Sequence, residues 1–439
     1  MTKDKLGDWR RQLSAQEIKP EKEGEETIVM GWVEDVRDLG GIQFFMLNDK
    51  TGEIQITAPQ SKVSDEIFEK ISDLNKESVI GVKGEITQSD QAPKGVEIIP
   101  DEIRVLNEAK TPLPLDPTGR VDADMDTRLN SRLLDIRRPK PSSIFKIKHQ
   151  TLQTIRNEFT KKGFTEVNTP KIVGTATETG AMLFPIQYFD REAFLSQSPQ
   201  LYKEVMTGNL EKIFEIGPIF RAEEHSTSYH LNEVQSADIE MAFATKKDVM
   251  EILEETIEKI YENVKEKNAD ELEKLEKEIK VPELPLERLS YGDAIEMLQE
   301  HGEDIEWGED FSIPEQRKLG DIMEDPYFLV DWPTEGKPFY IKPNEKDPEI
   351  CHAFDLMANE IELASGGTRV HDKELLEERM KKQGLNPKQY EYHLQNFDWG
   401  MPPHAGFGLG VERLLMILTG ADNIRECVLF PRDRKRLKP

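Results

Sequence analysis

The sequence predicts an α+β protein with a small N-terminal β-barrel followed by a larger domain of mixed strands and helices. Residues 26–106 contain five short β-like runs with one amphipathic helix between the third and the fourth. From residue 144 onward, long amphipathic helices alternate with strands. The stretch 107–141 between them is rich in proline and arginine, as linkers often are. With 439 residues, the chain is long enough for two or three domains.

The N-terminal strand candidates are short runs rich in β-branched and aromatic residues, at 27–36, 42–49, 54–59, 79–87 and 96–106. The tetrapeptide DKTG at 49–52 is typical of a tight turn between the second and third runs. Residues 64–74 form the single amphipathic helix. Five strands with one inserted helix in this order favour a Greek-key barrel of the OB type.

The larger domain is predicted to begin with a long helix that ends at Gly163. We expect hairpin strands around 193–243, one or two charged helices over 247–278, and further strands in FYIKP and AFDLMANEIELASGG. A strand-to-helix unit, GFGLGVERLLMILTG, follows, and its glycines are expected to allow close packing of the helix on the strand. The predicted organisation is a barrel domain 1–106, a hinge 107–141, and a second domain 142–439 with a helical insertion around 247–310.

The charge balance limits the classes of partner. With 58 basic and 85 acidic residues, the net charge is −27, which argues against a protein that coats nucleic acid but leaves room for a local basic groove. Cys351 and Cys427 stand far apart, so a disulfide framework and a zinc knuckle are both unexpected. Because no long apolar run and no secretory signal occur, we expect a cytoplasmic protein without a membrane span.

Two arginines indicate a phosphate site. Arg413 falls at the start of a predicted helix, where a cation opposes the helix dipole unless an anion lies opposite. Arg221 ends an apolar strand, and arginine grips phosphate through paired donors. Together with an acid such as Glu362, which suits Mg²⁺, they predict a nucleoside triphosphate held between two arginines.

Three stretches resemble the signature motifs of class II aminoacyl-tRNA synthetases. FRAE and HLNE, separated by a loop, resemble the second motif, and GFGLGVERLLMILTG resembles the third. The helix 144–162 with FTEVNTP resembles the first, which builds the dimer interface in that family. The N-terminal barrel is similar to that of the subgroup for aspartate, asparagine and lysine. This resemblance implies a six-stranded antiparallel sheet flanked by helices, a homodimer, and a reaction that uses ATP and Mg²⁺.

The amino acid is indicated by the stretch LSQSPQLYKEVM, which in the family lines the amino-acid pocket. A lysine there, Lys203, needs a negative partner, and Arg369 in SGGTRVH adds a second cation. Two cations fit an aspartate side chain and pair poorly with an asparagine amide. SQSPQLYK, RAEEHSTSYHLNE and ELASGGTRVH are together similar to archaeal aspartyl-tRNA synthetases. The resemblance implies an AMP-forming ligase that joins L-aspartate to tRNA(Asp) through an aspartyl-adenylate.

The same resemblance assigns site residues by position. Arg221 and Arg413 match the catalytic arginines, and Glu362 and Ser365 match Mg²⁺ ligands. The aspartate-binding set is Glu178, Ser198, Gln200, Leu201, Tyr202, Lys203, Arg221, Asp238, Ser365 and Arg369, in which Glu178 and Asp238 match acids that face the substrate ammonium. The ATP-binding set is Arg221, Ala222, Glu223, Tyr229, His230, Leu231, Glu362, Gly410, Val411, Glu412 and Arg413. Tyr229 stands where the family usually has arginine.

In the barrel, the resemblance implies an anticodon-binding surface. Phe44 matches an aromatic residue that stacks on the central anticodon base, and Arg37 and Gln55 match residues that hydrogen-bond base edges. Phe45, the alternating neighbour, is our candidate for the barrel core. Pro93 matches a position where proline is typical of enzymes that also charge tRNA(Asn), which favours relaxed tRNA specificity.

Three other functions stay open at this stage. An asparaginyl-tRNA synthetase is one, although such enzymes usually lack lysine at the position of Lys203. A tRNA-independent relative that makes asparagine by adenylate chemistry is the second, and the intact barrel with Phe44 argues against it. The third is a non-catalytic RNA-binding protein of the same fold, which would not need Arg221, Glu362 and Arg413 together.

Overall fold

A computed structural model describes residues 3–175, 182–223, 227–323 and 326–439 of the chain. The chain divides into two compact units, Met1–Ala123 and Asp124–Pro439. The boundary falls inside the predicted hinge 107–141, whose action as a hinge stays a prediction. Within that stretch the second unit begins with short helices rather than an extended linker.

The N-terminal unit contains a closed five-stranded barrel, which confirms the expected OB-type fold. Its elements are β1 (Glu26–Asp38), β2 (Ile42–Asp49), β3 (Gly52–Pro59), α1 (Asp65–Ser72), β4 (Val79–Gln88) and β5 (Val96–Asn107). The strands close in the order β1-β2-β3-β5-β4. Alternate residues face inward because side chains in a strand point to opposite faces. Phe45 is accordingly fully buried in the barrel core, as predicted.

The described part of the second unit forms eleven α-helices: α2 (Met125–Asn130), α3 (Arg132–Asp135), α4 (Pro139–Lys161), α5 (Gln200–Leu210), α6 (Lys246–Lys267), α7 (Ala269–Leu275), α8 (Tyr291–Glu300), α9 (Ile313–Ile322), α10 (Lys373–Lys382), α11 (Glu391–Leu394) and α12 (Val411–Thr419). Helix α4 begins earlier than its apolar pattern suggested, because Pro139 occupies the first helical turn, where proline needs no hydrogen-bond donor. None of the helices in the described residues has the length and apolar character needed to cross a lipid bilayer.

The strands of the second unit, in the described residues, are β6 (Thr165–Glu166), β7 (Ile172–Val173), β8 (Pro185–Tyr188), β9 (Arg191–Leu195), β10 (Lys212–Phe220), β11 (Glu233–Ala242), β12 (Arg288–Ser290), β13 (Tyr327–Val330), β14 (Ala353–Ala358), β15 (Ile361–Thr368) and β16 (His404–Gly410). Eight of them form the main sheet in the order β12-β13-β14-β15-β16-β11-β10-β6. The six strands from β13 to β10 pair antiparallel, as expected. The short strands β12 and β6 extend the two edges in parallel.

A single apolar core joins the sheet to α4, α6 and α12. Phe159 on α4 lies edge-on to Phe214 of β10, with ring centroids 5.4 Å apart, and both rings are buried. The helix face that carries Ile147 and Ile155 packs into the same core. This packing fixes the central strands, on which the candidate site is built.

The expected hairpin strands around 193–243 are confirmed as β10 and β11, but residues 200–210 in the same range form helix α5. In this helix Gln200, Lys203, Glu204 and Thr207 share one buried face at spacings of three and four residues. One expected strand is wrong. The stretch FYIKP, residues 339–343, forms only isolated bridges, with flanking prolines that lack the donor a strand ladder needs. The strand-to-helix unit is confirmed as β16 followed by α12.

Candidate active site

One cavity lies over the central strands β10, β11, β15 and β16 and is bounded by α5 and α12. Its lining includes most of the residues that the sequence placed in the amino-acid and nucleotide sites. They are Ser198, Gln200, Lys203, Arg221, Glu223, Tyr229, His230, Leu231, Asp238, Glu362, Ser365, Arg369, Gly410, Glu412 and Arg413. Residues up to 215 positions apart are therefore brought together by the sheet.

The remaining candidates lie elsewhere or outside the described residues. Leu201 and Val411 are buried in the apolar cores. Tyr202 is half-buried, and burial raises the pKa of its phenol. The main-chain nitrogen of Ala222 donates to the carbonyl of Met182. Glu178 lies in the stretch 176–181, which is outside the described residues.

One side of the cavity borders a cluster of two buried cations and two buried acids. Lys203 Nζ lies 3.0 Å from Asp238 Oδ1 and 3.4 Å from Glu240 Oε2, and it also donates to the Phe407 carbonyl. Arg369 Nε donates to Glu240 Oε1 at 2.9 Å. All four charged side chains are at least 94% buried. Buried charges are tolerated when they are paired and hydrogen-bonded, so this cluster is close to neutral as a whole.

The glycines of β16 make room for those acids. A Cβ atom at Gly406 would lie 2.3 Å from Glu240 Oε2, and one at Gly408 would lie 2.9 Å from Asp238 Oδ1. Strand β16 pairs with β11, which carries both acids. Packing of α12 against β16, which we expected to explain these glycines, therefore explains only part of their role. They clear space for carboxylates on the neighbouring strand.

Gln200 is oriented by a fully buried acid that the sequence argument did not single out. Its Nε2 donates to Glu204 Oε1 at 2.6 Å. Burial alone would raise the pKa of Glu204, but His393, His404 and the Gln200 amide outweigh it and lower the pKa. An ionised carboxylate only accepts hydrogen bonds, so the amide nitrogen of Gln200 must face Glu204.

Arg413 is held at the other end of the cavity by a histidine and a main-chain carbonyl. Its NH2 group lies 3.2 Å from His230 Nε2, and its NH1 group donates to the Glu362 carbonyl at 2.9 Å. Arginine cannot accept, so His230 Nε2 is the acceptor, and its proton sits on Nδ1, facing Thr227 Oγ1 at 2.7 Å. Burial and the charge of Arg413 lower the pKa of His230, which agrees with a neutral ring.

Two residues of the ATP-binding set make structural contacts. Both oxygens of Glu412 are engaged, one by Lys148 on α4 at 2.7 Å and the other by the main-chain nitrogen of Gln235. The Tyr229 hydroxyl donates to Glu360 Oε1 at 3.0 Å. Each side chain also borders the cavity.

Beside Glu362 and Ser365 lies a third candidate oxygen ligand, Asp355 of β14, which was not predicted from the sequence. Asp355 is opposite Ser365 in the β14–β15 register. Its Oδ2 accepts from Lys337 at 2.7 Å, whereas its buried Oδ1 has no hydrogen-bond partner among the described residues. Burial raises its pKa to about 6, against the charge of Lys337. An unpaired buried carboxylate oxygen next to an acid and a serine is suited to a hard cation such as Mg²⁺.

Among the described residues, no group of three or more histidine, cysteine, aspartate or glutamate side chains converges in a way that would hold a metal by protein ligands alone. Mg²⁺ in nucleotide sites typically keeps water and phosphate ligands and takes only one or two carboxylates. Glu362 and Asp355 therefore fit a cation that arrives with a nucleotide better than a permanent protein-ligated metal.

On the barrel, the candidates Arg37, Phe44 and Gln55 share the outer face of β1–β3. Arg37 is opposite Phe44 in the ladder, with its guanidinium 5.9 Å from the ring centroid. Phe44 is half-buried, unlike the core residue Phe45. The Gln55 amide donates to Glu97 at 2.9 Å. Pro93 is exposed in the loop between β4 and β5.

Two of the site residues that were not predicted share a pattern that is visible in the sequence. Glu240 and Asp355 are acids inside apolar strands, DIEMAF and AFDLMA, where an unpaired charge is costly. Such a placement could have marked both as site residues. Lys337, in the loop before FYIKP, had no comparable pattern.

The fold and this cavity define a class II tRNA synthetase. A family profile described as tRNA synthetases class II (D, K and N) matches residues 124–434, and one described as an OB-fold nucleic acid binding domain matches residues 27–106. The chain belongs to the class II tRNA synthetases of this D, K and N group.

Within that family, similar proteins share nearly the whole chain. A protein of Methanococcus aeolicus is 52% identical over 99% of both chains, and one of Methanothermobacter thermautotrophicus is 53% identical over 99% of this chain and 100% of that one. Both are named aspartate–tRNA(Asp/Asn) ligase.

Solved structures show the same fold. An asparaginyl-tRNA synthetase from Pyrococcus horikoshii, complexed with asparaginyl-adenylate, superposes with a TM-score of 0.93 at 35% identity, over 98% of this chain and 100% of that chain. An aspartyl tRNA synthetase from Entamoeba histolytica has a TM-score of 0.86 at 30% identity, over 97% and 92%.

Proposed function

We propose that this chain ligates L-aspartate to tRNA(Asp) and also to tRNA(Asn), through an aspartyl-adenylate formed from ATP. The observation that carries the proposal is the cavity itself, with Lys203 and Arg369 buried at one end and Arg221 and Arg413 at the other. At the first end, the NH1 group of Arg369, which Glu240 does not engage, suits a carboxylate-bearing amino acid, and the two arginines at the other end suit a triphosphate. The names of the relatives at 52% and 53% identity support both the amino acid and the pair of tRNAs.

At the amino-acid end of the cavity, Arg369 distinguishes aspartate from asparagine. Glu240 takes two of its five N–H donors, which leaves the NH1 group to bind the substrate's side-chain carboxylate. Asparagine would present amide hydrogens to these donors and lose the charge pairing. Lys203 keeps the buried acids neutralised, so that Asp238 and the Gln200 carbonyl can accept from the substrate ammonium.

The reaction joins two anions, because the α-carboxylate of aspartate attacks the α-phosphorus of ATP. We propose that Arg221, directly after β10, binds the α-phosphate and the attacking carboxylate, and that Arg413 binds the γ-phosphate. These contacts neutralise charge and align the reacting atoms, so no protein nucleophile is required. Pyrophosphate leaves, and the terminal ribose hydroxyl of tRNA then attacks the adenylate carbonyl, which forms the aminoacyl ester and releases AMP.

Glu362, Ser365 and Asp355 would hold Mg²⁺ when ATP is bound. A cation there would neutralise the phosphate oxygens and bridge them to the protein. The unpaired Asp355 Oδ1 supports this assignment.

For RNA recognition, we propose that the outer face of the barrel reads the anticodon. Phe44 offers a ring for stacking, Arg37 offers donors beside it, and Gln55, whose amide nitrogen donates to Thr57 and Glu97, offers its carbonyl oxygen as an acceptor. We also propose, from the family, that the enzyme acts as a homodimer through α4 and the strands after it, in the cytoplasm. Exposed Ile172 lies in that region.

An asparagine-specific enzyme is the second candidate, since the P. horikoshii structure carries asparaginyl-adenylate on the same fold. Pyrophosphate exchange with each amino acid separates the two. We expect exchange with aspartate and little with asparagine, and Arg221→Ala should abolish it in a folded protein. Exchange that survives in Arg221→Ala would show that the site is assigned to the wrong residues.

A further inference from the structure

Arg425 is a buried arginine that none of the motifs accounts for. It lies in the short 3₁₀ turn Ile424–Cys427 after α12, with 10% of its side chain exposed. Its Nε donates to Asp433 Oδ2 at 2.7 Å, and its NH1 group donates to the Thr227 carbonyl at 3.0 Å. The arginine therefore bridges the end of the chain and the loop before β11.

Thr227 also makes the side-chain contacts that connect this loop to the cavity. Its Oγ1 accepts from the Tyr229 main-chain nitrogen at 3.2 Å and faces His230 Nδ1 at 2.7 Å. His230 in turn accepts from Arg413 through Nε2. Three successive contacts thus connect the Arg425 guanidinium to the arginine proposed to bind the γ-phosphate.

Main-chain bonds join the same two segments on either side of this contact. The nitrogen of Ile424, which lines the cavity, donates to the Ser228 carbonyl at 2.9 Å. The nitrogen of Asn232 donates to the Arg432 carbonyl at 2.8 Å, and the Asn232 side chain donates to the Arg221 carbonyl. The segment after α12 therefore bonds to both ends of the described stretch 227–232.

The charge of Asp433 keeps Arg425 in place. Main-chain nitrogens of Lys435 and Arg436 donate to its Oδ1, each at 2.8 Å, which leaves Oδ2 for Arg425. Burial opposes ionisation, but these bonds and the Arg425 contact lower the pKa of Asp433, so the acid stays charged. A charged, largely buried pair is costly to build, and removal of one partner leaves the other charge buried without compensation.

We propose that Arg425, oriented by Asp433, is a positioning residue for ATP: it holds residues 227–231 in the arrangement in which His230 supports Arg413. The inference rests on the proposed function, because it assigns Arg425 to the ATP half of that site. The Arg425 side chain donates to Asp433, Thr227 and Asn423, and through Thr227 it is connected to the ATP half of the cavity. Its removal should therefore weaken ATP binding and leave aspartate binding unchanged.

The test is aspartate-dependent ATP–pyrophosphate exchange by the full-length protein, with KM measured separately for each substrate. Arg425→Met should raise KM for ATP about tenfold, as expected for loss of one charge-assisted hydrogen bond, with KM for aspartate within about twofold. Arg425→Lys should restore part of the loss, since its ammonium can still reach one of the two partners. Asp433→Asn should shift KM for ATP in the same direction by a smaller factor.

Arg288→Met is the matched control, because it breaks an arginine–glutamate pair, with Glu254, away from the cavity. It should leave both KM values unchanged. An Arg425→Met enzyme with the wild-type KM for ATP, or with both KM values raised equally, would overturn the inference while the proposed function stands. If Arg425→Met does not fold, the two KM values of Asp433→Asn are judged by the same criteria. A wild-type protein without aspartate-dependent exchange would overturn the proposed function and this inference with it.

Discussion

Lys203 Nζ lies 3.0 Å from Asp238 Oδ1, so the lysine predicted to meet the substrate carboxylate already has a protein carboxylate as its partner. The pair is almost completely buried. We infer that Lys203 contributes to the pocket mainly by balancing buried charge, and we propose that Arg369, through the NH1 group that Glu240 does not engage, binds the substrate.

Replacing Lys203 with methionine tests this relationship. Asp238 and Glu240 would lose a shared cation, and breaking a buried pair typically costs about 3–5 kcal/mol of unfolding free energy. We expect a lower denaturation midpoint and no aspartate-dependent exchange. The double change Lys203→Met with Asp238→Asn should regain stability without regaining activity. If the single variant were as stable as the wild type, the lysine would not be neutralising those acids.

Gly406→Ala should be far more damaging than an ordinary glycine-to-alanine change. The new Cβ would meet Glu240 Oε2 and the Ile239 carbonyl, each at 2.3 Å, and overpacking of a well-packed interior costs about 1–3 kcal/mol or more. Aspartate affinity should fall, since Glu240 orients Arg369. Gly208→Ala, in α5 with nothing near its Cβ, should be neutral or slightly stabilising. Equal thermal midpoints for the two variants would contradict the steric argument.

ATP binding should weaken at acid pH, because His230 then gains a proton. Its surroundings are Arg413 and Arg221, which disfavour protonation, and Glu223 and Glu362, which favour it. The net pKa is lowered, so the ring is neutral at pH 7 and gains a proton only below its usual value of 6.5. A protonated Nε2 can no longer accept from Arg413. We expect KM for ATP to rise as the pH falls below about 6, and this rise to be lost in His230→Gln.

The lowered pKa of His230 also makes the free energy of unfolding depend on pH. The folded protein binds fewer protons at His230 than the unfolded chain does in the window below 6.5, so this contribution is present above that pH and is lost as the pH falls. Urea unfolding midpoints of the wild type and His230→Gln, compared at pH 7 and pH 5.5, measure it. A larger pH dependence in His230→Gln would reverse the assigned direction.

Neighbouring phenylalanines of the barrel give opposite predictions. Phe44→Ala should weaken binding of tRNA while leaving the unfolding free energy nearly unchanged, because the ring lies on the outer face. Phe45→Ala should lower the unfolding free energy by about 3–5 kcal/mol, as for other buried phenylalanines. Filter binding of a tRNA transcript and thermal unfolding separate the two effects. A stable Phe44→Ala variant with unchanged tRNA affinity would remove this face from the anticodon site.

Sequence patterns predicted the barrel well, because period-two alternation and the DKTG turn are local signals. They also identified Arg221 and Arg413 as candidate site residues, because each lies at the end of a clearly predicted strand or helix. Helix α5 was missed since its buried face is polar, with Gln200, Lys203 and Glu204 in place of apolar residues. A polar helical face has no hydrophobic period to detect.

The partners of the site residues could not be predicted for a different reason. Glu240 and Arg369 are 129 positions apart, and only the sheet order β15-β16-β11 brings them together. The link from Arg425 to Thr227, 198 positions away, depends in the same way on how the last segment packs. Contacts of this range are properties of the assembled domain.

The most direct test of the account is to offer labelled aspartate and labelled asparagine, each in turn, to purified transcripts of tRNA(Asp) and tRNA(Asn). We predict that aspartate is attached to both transcripts and asparagine to neither. Charging of tRNA(Asp) alone would show that Pro93 does not mark relaxed specificity. Attachment of asparagine in place of aspartate would contradict the central claim that Arg369 and the buried acid–base cluster select a carboxylate.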